Sequence, residues 1–373
     1  MLPPALTVSP LAARRFVRRT LGLDTPHADV AAALGHHGYV QIDPINVCGR
    51  MHDLILRNRV AGYREGDLMR YLHGHDTPLP AAERTAFEHH LPSTGILVAF
   101  TLDAWPHLLA AMHARTRRAG AWSGRLSPRE RELATRLLAE LAERGPLGSD
   151  AIADERRARR VWGAATLVKS TLQKLFFHGR VLIARRDNGR RLYDLPERVL
   201  PARVLAAREP APAETARWEA LLKLRQRRLV LLKKAELALV ADAVQPVKLT
   251  GEPGLTLYCL RHDAPLLAEI ANQESMPGNT PLLLAPLDPL LYDRRVTSAL
   301  WGFDYTWEVY TPPSRRVRGY YALPVLAGTE IVGHVDPKVD RERRKLVVVS
   351  RSLRRGHKAA DAVRSLARWL GLR

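Results

Sequence analysis

Residues 38–47 (GYVQIDPINV) place an amide and a carboxylate two positions apart inside an apolar run. Side chains alternate between the two faces of a strand, so Gln41 and Asp43 are predicted to point one way while Val40 and Ile42 enter the core. Such a pair could orient and activate a water molecule, because an amide donates and accepts hydrogen bonds and a carboxylate accepts a proton. The alternative is a half-solvated strand face without chemistry.

The charge balance narrows the class of partner. The chain has 373 residues, 58 Lys and Arg against 38 Asp and Glu, and a formal net charge of +20. This excess of positive charge indicates a polyanionic partner, with nucleic acid the leading candidate, and the length indicates several domains. No apolar run approaches the roughly 20 residues of a bilayer span, and the first residues do not resemble a signal peptide. We expect a cytoplasmic, nucleoid-associated protein without membrane contact.

Several kinds of site are not indicated. The chain lacks a GxxxxGK[ST] phosphate loop, a GxGxxG turn and an HExxH metal motif. Cys48 and Cys259 are far apart in sequence, which disfavours a cysteine-type zinc site. His89 and His90 are adjacent, so they cannot share one helix face as metal ligands at positions i and i+4 do. We therefore predict neither a cofactor nor a metal.

Local signals predict the elements that must position the polar pair. Ser9 followed by Pro10 predicts the start of a helix. A second helix is predicted from about Asp29 to Leu34, ending near Gly35, and a short strand at residues 39–42 follows it.

The middle of the chain predicts a winged helix. A capping box opens a helix at residues 127–143, a short helix follows Ser149, and a third ends near Gly179. The third helix shows an apolar stripe made of Trp162, Ala165, Val168, Leu172, Leu175 and Phe176. Two strands joined through Asp187-Asn188-Gly189 complete the unit as a basic hairpin that could contact DNA through Arg185, Arg186, Arg190 and Arg191. The alternative is a helical unit used only for packing, with solvated arginines.

The remaining segments predict a helical part followed by a β-rich part. Residues 201–212 suggest a linker, and residues 213–242 a further helical module. A strand at residues 255–260 and a helix at residues 264–271 precede a β-rich part that starts near Pro281. We predict strands around residues 307–310, 320–323, 330–333 and 345–349, and a final amphipathic helix at residues 358–370.

These residues together resemble a known family. Residues 38–47 and 50–54 resemble the opening of the AlkZ/YcaQ-like winged-helix DNA glycosylases, whose signature is Gln, an aliphatic residue, then Gln or Asp. This chain carries the Gln-Ile-Asp version, as the YcaQ-type branch does. The resemblance continues through residues 193–201, 287–295, 301–310 and 333–338, so it covers nearly the whole chain.

The resemblance implies a fold and a domain plan. The expected fold is of the α+β class, with three tandem winged-helix domains and a C-terminal β-barrel-like domain around a concave basic DNA channel. The expected boundaries are 1–125 for the first domain, which holds the Gln-Ile-Asp motif, then 126–205, 206–280 and 281–373, the last ending in a helix.

The resemblance also implies an activity on double-stranded DNA. Family members excise alkylated, N7-cationic purines and unhook interstrand crosslinks, and the Gln/Asp branch resembles a general repair branch. An ionised Asp43 could stabilise the oxocarbenium-like sugar and accept a proton from water, while Gln41 orients that water. Asn46 and His52 could support the site or DNA, or serve the structure alone. Further DNA contacts are expected from Arg50, Arg294 and Arg295.

Two further expectations complete the hypothesis. No lysine lies near Gln41 in sequence, so we expect a monomeric, monofunctional glycosylase without a lyase step. One rival is a non-catalytic winged-helix transcriptional regulator, which predicts strong sequence preference and indifference to Asp43. An architectural DNA-binding protein would explain the charge but not the polar pair.

Overall fold

The computed structural model describes residues 2–75, 77–154, 166–187, 189–272, 278 and 280–372. The chain divides into a first unit, Met1–Asp67 with Ala216–Arg373, and a second unit, Leu68–Thr215. Helices and sheets occur in both, so the α+β class predicted from the sequence is confirmed. The first unit is assembled from both ends of the chain and contains Gln41 and Asp43. The four-domain division remains a prediction.

The first unit has short helices around two sheets. Its described α-helices are Pro10–Thr20, Val30–His37, Met51–Leu56, Lys234–Val240, Ala264–Ala271, Arg294–Trp301 and Ala360–Trp369. Two more, Asp67–His73 and Pro212–Arg227, run across the unit boundaries in sequence. The first helix begins as predicted, because the Ser9 side chain accepts a hydrogen bond from the Ala12 amide at 3.1 Å.

The second helix extends beyond its predicted end. Gly35 lies inside the Val30–His37 helix, and Gly38 ends it with a left-handed φ of 81°. A Cβ atom at Gly38 would also lie 2.5 Å from Leu222 Cδ1. Both the backbone angle and the space therefore require glycine at Gly38, and this turn directs the chain into the Tyr39–Gln41 strand.

The predicted helical module at residues 213–242 contains two helices. Pro212–Arg227 and Lys234–Val240 are separate helices, and Arg228 between them has a left-handed φ of 66°. The Arg228 guanidinium is buried and donates a hydrogen bond to the His36 carbonyl at 2.8 Å. The left-handed backbone of Arg228 is incompatible with a continuing α-helix, and its side chain is bound inside the unit.

The first unit contains two open sheets. In the smaller one, Leu6–Val8 pairs in parallel with Val244–Leu249, which pairs antiparallel with Glu252–Leu260. The larger is antiparallel, with its strands in the order Lys345–Leu353, Glu330–Asp340, Leu323–Ala327 and Leu282–Leu283.

The prediction of a C-terminal β-barrel is therefore wrong, because the sheet is open and not closed into a barrel. Among the described residues, the larger sheet has four strands, one of only two residues, and its two edge strands do not pair. Four strands are too few to close around a packed interior, for which about eight are usual. The strand predicted at residues 307–310 is also absent, because this segment runs through irregular backbone and turns.

The second unit contains helices and two hairpins. Its described α-helices are Trp105–Arg117, Pro128–Arg144, Leu167–Phe177, Pro196–Val199 and Ala202–Leu205. Its strands form two antiparallel hairpins, Ala86–His90 with Leu97–Thr101 and Leu182–Asp187 with Arg190–Asp194.

The predicted order of helix, helix and basic hairpin is present in the second unit. The capping box at Ser127 and Glu130 forms as predicted, and the helix that it opens ends at Gly145. Trp162, Ala165 and Asn188 lie outside the described residues, as does most of the segment after Ser149. The Ala202–Leu205 helix stands where a linker was predicted. The number of winged-helix domains remains a prediction.

Three histidine rings cluster inside the first unit. The ring centroids of His27 and His36 are 4.7 Å apart, and those of His36 and His37 are 5.0 Å apart. Burial, followed by the nearby Arg228 guanidinium, lowers the pKa of His36 to about 4, although a hydrogen bond to the Thr20 carbonyl opposes this. Burial likewise lowers the pKa of His37 well below its ordinary value, and that of His27 to a lesser degree. The cluster is therefore neutral in the folded protein at neutral pH.

This cluster predicts acid sensitivity of the fold. The unfolded chain binds protons at histidine from about pH 6.5 downwards, whereas the folded chain resists them until about pH 4. Stability is thus complete above the unfolded pKa and is lost progressively as the pH falls between these values. We expect the thermal midpoint to decrease as the pH is lowered from about 7.5 to about 5. His37→Leu should flatten this dependence, because both His37 ring nitrogens are buried without a hydrogen-bond partner among the described residues. A change at the exposed His262, such as His262→Gln, should leave it intact. Equal slopes in all three proteins would contradict the prediction.

Candidate active site

Gln41 is the last residue of the Tyr39–Gln41 strand, and the strand is buried on both faces. Val40 and Ile42 are buried as predicted, but Tyr39 is buried as well and Gln41 is only 9% exposed, so the alternative of a half-solvated strand face is wrong. The Gln41 Oε1 atom is buried and has no hydrogen-bond partner among the described residues. Buried polar atoms usually have partners, so this acceptor is suited to a water molecule or a ligand.

Asp43 lies just beyond the strand, in a turn before Pro44. Its Oδ1 atom accepts a hydrogen bond from the Ile45 amide at 2.9 Å, and in the described part of the chain Oδ2 has no hydrogen-bond partner. The side chain is partly exposed. The local turn thus fixes the carboxylate through one oxygen and leaves the other toward accessible space.

Partial burial changes the acidity of this carboxyl group. Loss of solvation raises the pKa of Asp43 above its ordinary value, and the hydrogen bond from Ile45 opposes the rise. A carboxylate with a raised pKa is a stronger base than an ordinary one. The environment therefore strengthens Asp43 for the acceptance of a proton.

The segment after Asp43 is held by the C-terminal sheet. The Val47 carbonyl accepts a hydrogen bond from the Val339 amide at 3.1 Å, and Ile45 and Val47 pack against the core of that sheet. Asn46 Oδ1 accepts from the Gly49 amide at 3.1 Å, so Asn46 braces this turn, one of the two roles left open for it. The sequence could not indicate that residues so distant along the chain position the turn.

His52 lies on the Met51–Leu56 helix and is buried. Its Nε2 atom lies 3.6 Å from Asp53 Oδ2, and Asp53 accepts hydrogen bonds from the Tyr63 hydroxyl at 2.6 Å and the Gly66 amide at 3.0 Å. This environment favours the structural role for His52 over a contact with DNA. Arg50, at the N-cap of the same helix, is partly exposed.

Tyr321 is a candidate residue that the sequence did not single out. Its ring is buried, and its hydroxyl has no hydrogen-bond partner among the described residues. Burial, followed by the electrostatic effects of the nearby Cys48 and Asp43 side chains, raises the pKa of Tyr321 well above its ordinary value. The phenol therefore stays protonated in the neighbourhood of Asp43. Its place in a predicted strand, at residues 320–323, carried no signal of chemistry.

Metal ligands do not converge in the parts of the chain that the structure describes: no group of three His, Cys, Asp or Glu side chains could hold an ion.

Comparison with known proteins identifies the family. The model of the family described as DNA glycosylase AlkZ-like matches residues 34–370. The chain belongs to this AlkZ-like DNA glycosylase family. Its fold is similar to the solved structure of Streptomyces sahachiroi DNA glycosylase AlkZ, with a TM-score of 0.59 and 18% sequence identity over 98% of each chain. The AlkZ-like resemblance predicted from the sequence is confirmed, and with it a glycosylase that acts on DNA.

Two of the arginines predicted to bind DNA in the first unit of this AlkZ-like protein, Arg294 and Arg295, are exposed. Arg294 and Arg295 open the Arg294–Trp301 helix, and the Asp293 side chain caps it by accepting hydrogen bonds from the Arg295 and Val296 amides. Asp288 is bound by Arg59. The sequence did not reveal Arg59 as the partner.

The hairpin arginines lie in the second unit and differ in their surroundings. Arg186 is mostly buried and binds both oxygens of the buried Glu88. Arg190, which is exposed, pairs with Asp150 at 2.6 Å, and Arg191 lies over the Phe176 ring at 5.8 Å. The ion pair gives Arg186 a structural role, so it is the weakest of the DNA-binding candidates. Arg185 is partly exposed.

No helix in the described ranges of this AlkZ-like chain combines the length and apolarity needed for a membrane span.

Proposed function

We propose that this AlkZ-like glycosylase hydrolyses the N-glycosidic bond of N7-alkylated purines in duplex DNA, and that Gln41 and Asp43 are its catalytic residues. Two observations at neighbouring positions carry the proposal. Gln41 Oε1 is buried without a hydrogen-bond partner among the described residues, and Asp43 is partly exposed with a pKa that is raised by partial burial. A buried acceptor without a partner is costly unless a water or substrate satisfies it. The end of the strand is thus suited to bind a water molecule or a polar substrate group near Asp43, the proposed general base.

Release of an N7-alkylated purine needs little help from a general acid. An N7-alkylated purine is already cationic, so it leaves readily once the sugar develops oxocarbenium character. Ionised Asp43 offsets that positive charge through its unpartnered Oδ2 and accepts a proton from the attacking water. Gln41 accepts a hydrogen bond from the same water through Oε1 and fixes its orientation.

The proposal extends to interstrand crosslinks. A crosslinked base stays tethered to the opposite strand, so it cannot be flipped fully into a closed pocket. The partial exposure of Asp43 suits a site that reaches the sugar without enclosing the base. Phosphate contacts are assigned to the exposed Arg294 and Arg295, with Arg50, Arg185, Arg190 and Arg191 as further candidates.

We also propose a monofunctional enzyme. A lyase step requires an amine nucleophile at the sugar carbon. The first lysine of the chain is Lys169, far from Gln41 in sequence, and residues 38–49 carry no side-chain amine. Hydrolysis should therefore leave an abasic site and no strand break.

The test is base release from two duplexes, one with a single N7-methylguanine and one with a nitrogen-mustard crosslink. We expect the wild type to release the methylated base and unhook the crosslink, and Gln41→Ala to do both more slowly while binding DNA as before. Strand breaks without added base or amine would contradict the monofunctional proposal. Tight, sequence-selective binding without release from either lesion would overturn the enzyme and favour a regulator.

A further inference from the structure

Residues 308–321, here called the Tyr310 loop, expose apolar side chains next to positive ones. Tyr310 is 75% exposed and Val317 is 82% exposed, the two highest values among the large exposed hydrophobic residues of the described chain. Arg315 is exposed on the same loop, and Arg316 and Arg318 are partly exposed. Exposed apolar side chains among arginines are typical of surfaces that contact both bases and phosphates.

Two buried carboxylates hold the loop in one conformation. Glu308 accepts hydrogen bonds from the backbone amides of Val317, Arg318 and Gly319 at 2.7 to 3.1 Å. Asp336, on the Glu330–Asp340 strand, accepts from the next two amides along the chain at 3.0 and 2.9 Å. Five successive amides are thus bound by two side chains.

Packing adds to this restraint. A Cβ atom at Gly319 would lie 2.2 Å from Asp336 Oδ2, so the loop and the strand are in close contact. The Arg316 guanidinium lies over the Tyr320 ring at 4.8 Å, and its Nε donates to the Thr311 carbonyl at 2.8 Å. A loop ordered before binding loses little conformational entropy when it meets a ligand.

The loop is joined to the candidate active site through its buried end. Tyr321 ends the loop, and its raised pKa reflects in part the charge of Asp43. Trp307 precedes the loop and packs on the same core as Ile45 and Val47, which follow Asp43 in the chain. The exposed end of the loop is therefore attached to the structure that positions Asp43.

We propose that the Tyr310 loop is a preformed DNA wedge. Tyr310 stacks on a base beside the lesion, and Arg315 neutralises a phosphate next to it. The occupant is duplex DNA, because exposed apolar groups flanked by three arginines complement stacked bases bordered by phosphates. The inference rests on the proposed function and deepens it, since it supplies a stacking contact where full base flipping is blocked.

The first test measures binding to a fluorescein-labelled duplex that carries a tetrahydrofuran abasic analogue, by anisotropy. Stacking on one base is worth enough that Tyr310→Ala should raise Kd about 10-fold. Tyr310→Phe keeps the ring and should stay within about twofold of the wild type. Because Tyr310 is exposed, neither change should lower the thermal midpoint. A Kd for Tyr310→Ala equal to that of the wild type would overturn the wedge.

The second test isolates the phosphate contact. Arg315→Ala should reduce the slope of log Kd against log salt concentration by about 1, as expected for one phosphate. Arg368→Ala removes the same charge from an exposed position on the Ala360–Trp369 helix and should leave the slope unchanged. Equal reductions in both variants would mean a general charge effect and would overturn the assignment.

Failure of the wedge and failure of the proposed function give different results. If the wild type releases N7-methylguanine but Tyr310→Ala binds the abasic duplex normally, only the wedge is wrong. If the wild type releases no base but Tyr310→Ala still weakens binding, the wedge holds and the catalytic proposal is wrong.

Discussion

Replacement of Asp43 by asparagine should slow base release from an N7-methylguanine duplex by about 100- to 10,000-fold, the range usual for loss of a general base. Asparagine has nearly the same shape, and its Oδ1 can still accept the hydrogen bond from Ile45 that fixes the turn. The variant loses the negative charge that opposes the oxocarbenium-like sugar and the basic oxygen that takes the proton from water. Single-turnover release at saturating enzyme measures this loss directly. Duplex binding by anisotropy should be unchanged.

Stability supplies the control for this variant. Because burial raises the pKa of Asp43, the folded state disfavours the ionised form more than the unfolded chain does. At neutral pH the carboxylate thus reduces stability, and Asp43→Asn removes that charge. The thermal midpoint should stay equal or rise. A clear fall in midpoint together with lost activity would show that Asp43 serves the fold instead of the reaction.

The pH dependence of base release shows whether Asp43 acts as the general base or contributes only its charge. Wild-type release should fall as the pH drops through the pKa of Asp43, which lies above the ordinary aspartate value. The residual rate of Asp43→Asn should lack this acid limb. If the variant keeps the same limb, another group is the base.

The sequence predicted those features that depend on near neighbours. The caps at Ser9 and Ser127 formed where the local pattern placed them, because a cap needs only amides three residues away. The helix Ala264–Ala271 also has the bounds predicted for it. The Gln-Ile-Asp run was also visible, since its polar residues stand out from an apolar background.

The features that the sequence missed depend on distant contacts. Gly35 and Gly38 look alike in the sequence, and only the folded chain shows that Gly38, with its left-handed φ of 81°, ends the helix. The segment at residues 307–310 has strand-forming residues, but Glu308 binds the amides of the following loop instead of joining a sheet. Tyr321 reaches the neighbourhood of Asp43 through the C-terminal sheet, which periodicity cannot reveal.

A buried ion pair joins the two sequence segments that build the first unit. Arg59 donates to Asp288 through Nη1 at 2.9 Å and through Nη2 at 2.7 Å, and both side chains are 0% exposed. Arg59 Nη1 also donates to the Ile55 carbonyl at 3.0 Å, and Asp288 Oδ1 accepts from the Leu290 amide at 3.0 Å. Each charge therefore depends on the other for compensation, since water does not reach either.

Asp288→Ala should reduce the free energy of unfolding of the first unit by about 3–5 kcal/mol, because it leaves the Arg59 guanidinium buried without a counter-charge. Calorimetric or urea unfolding measures this loss. The double variant Arg59→Met with Asp288→Leu should recover part of it, since apolar side chains of similar volume remove both charges together. Asp361→Ala breaks the exposed pair of Asp361 with Arg364 and should have a far smaller effect. The double variant could instead lose as much free energy of unfolding relative to Asp288→Ala as a separate substitution of Arg59 would cost. The two residues would then act independently, and the ion pair would not join the two segments.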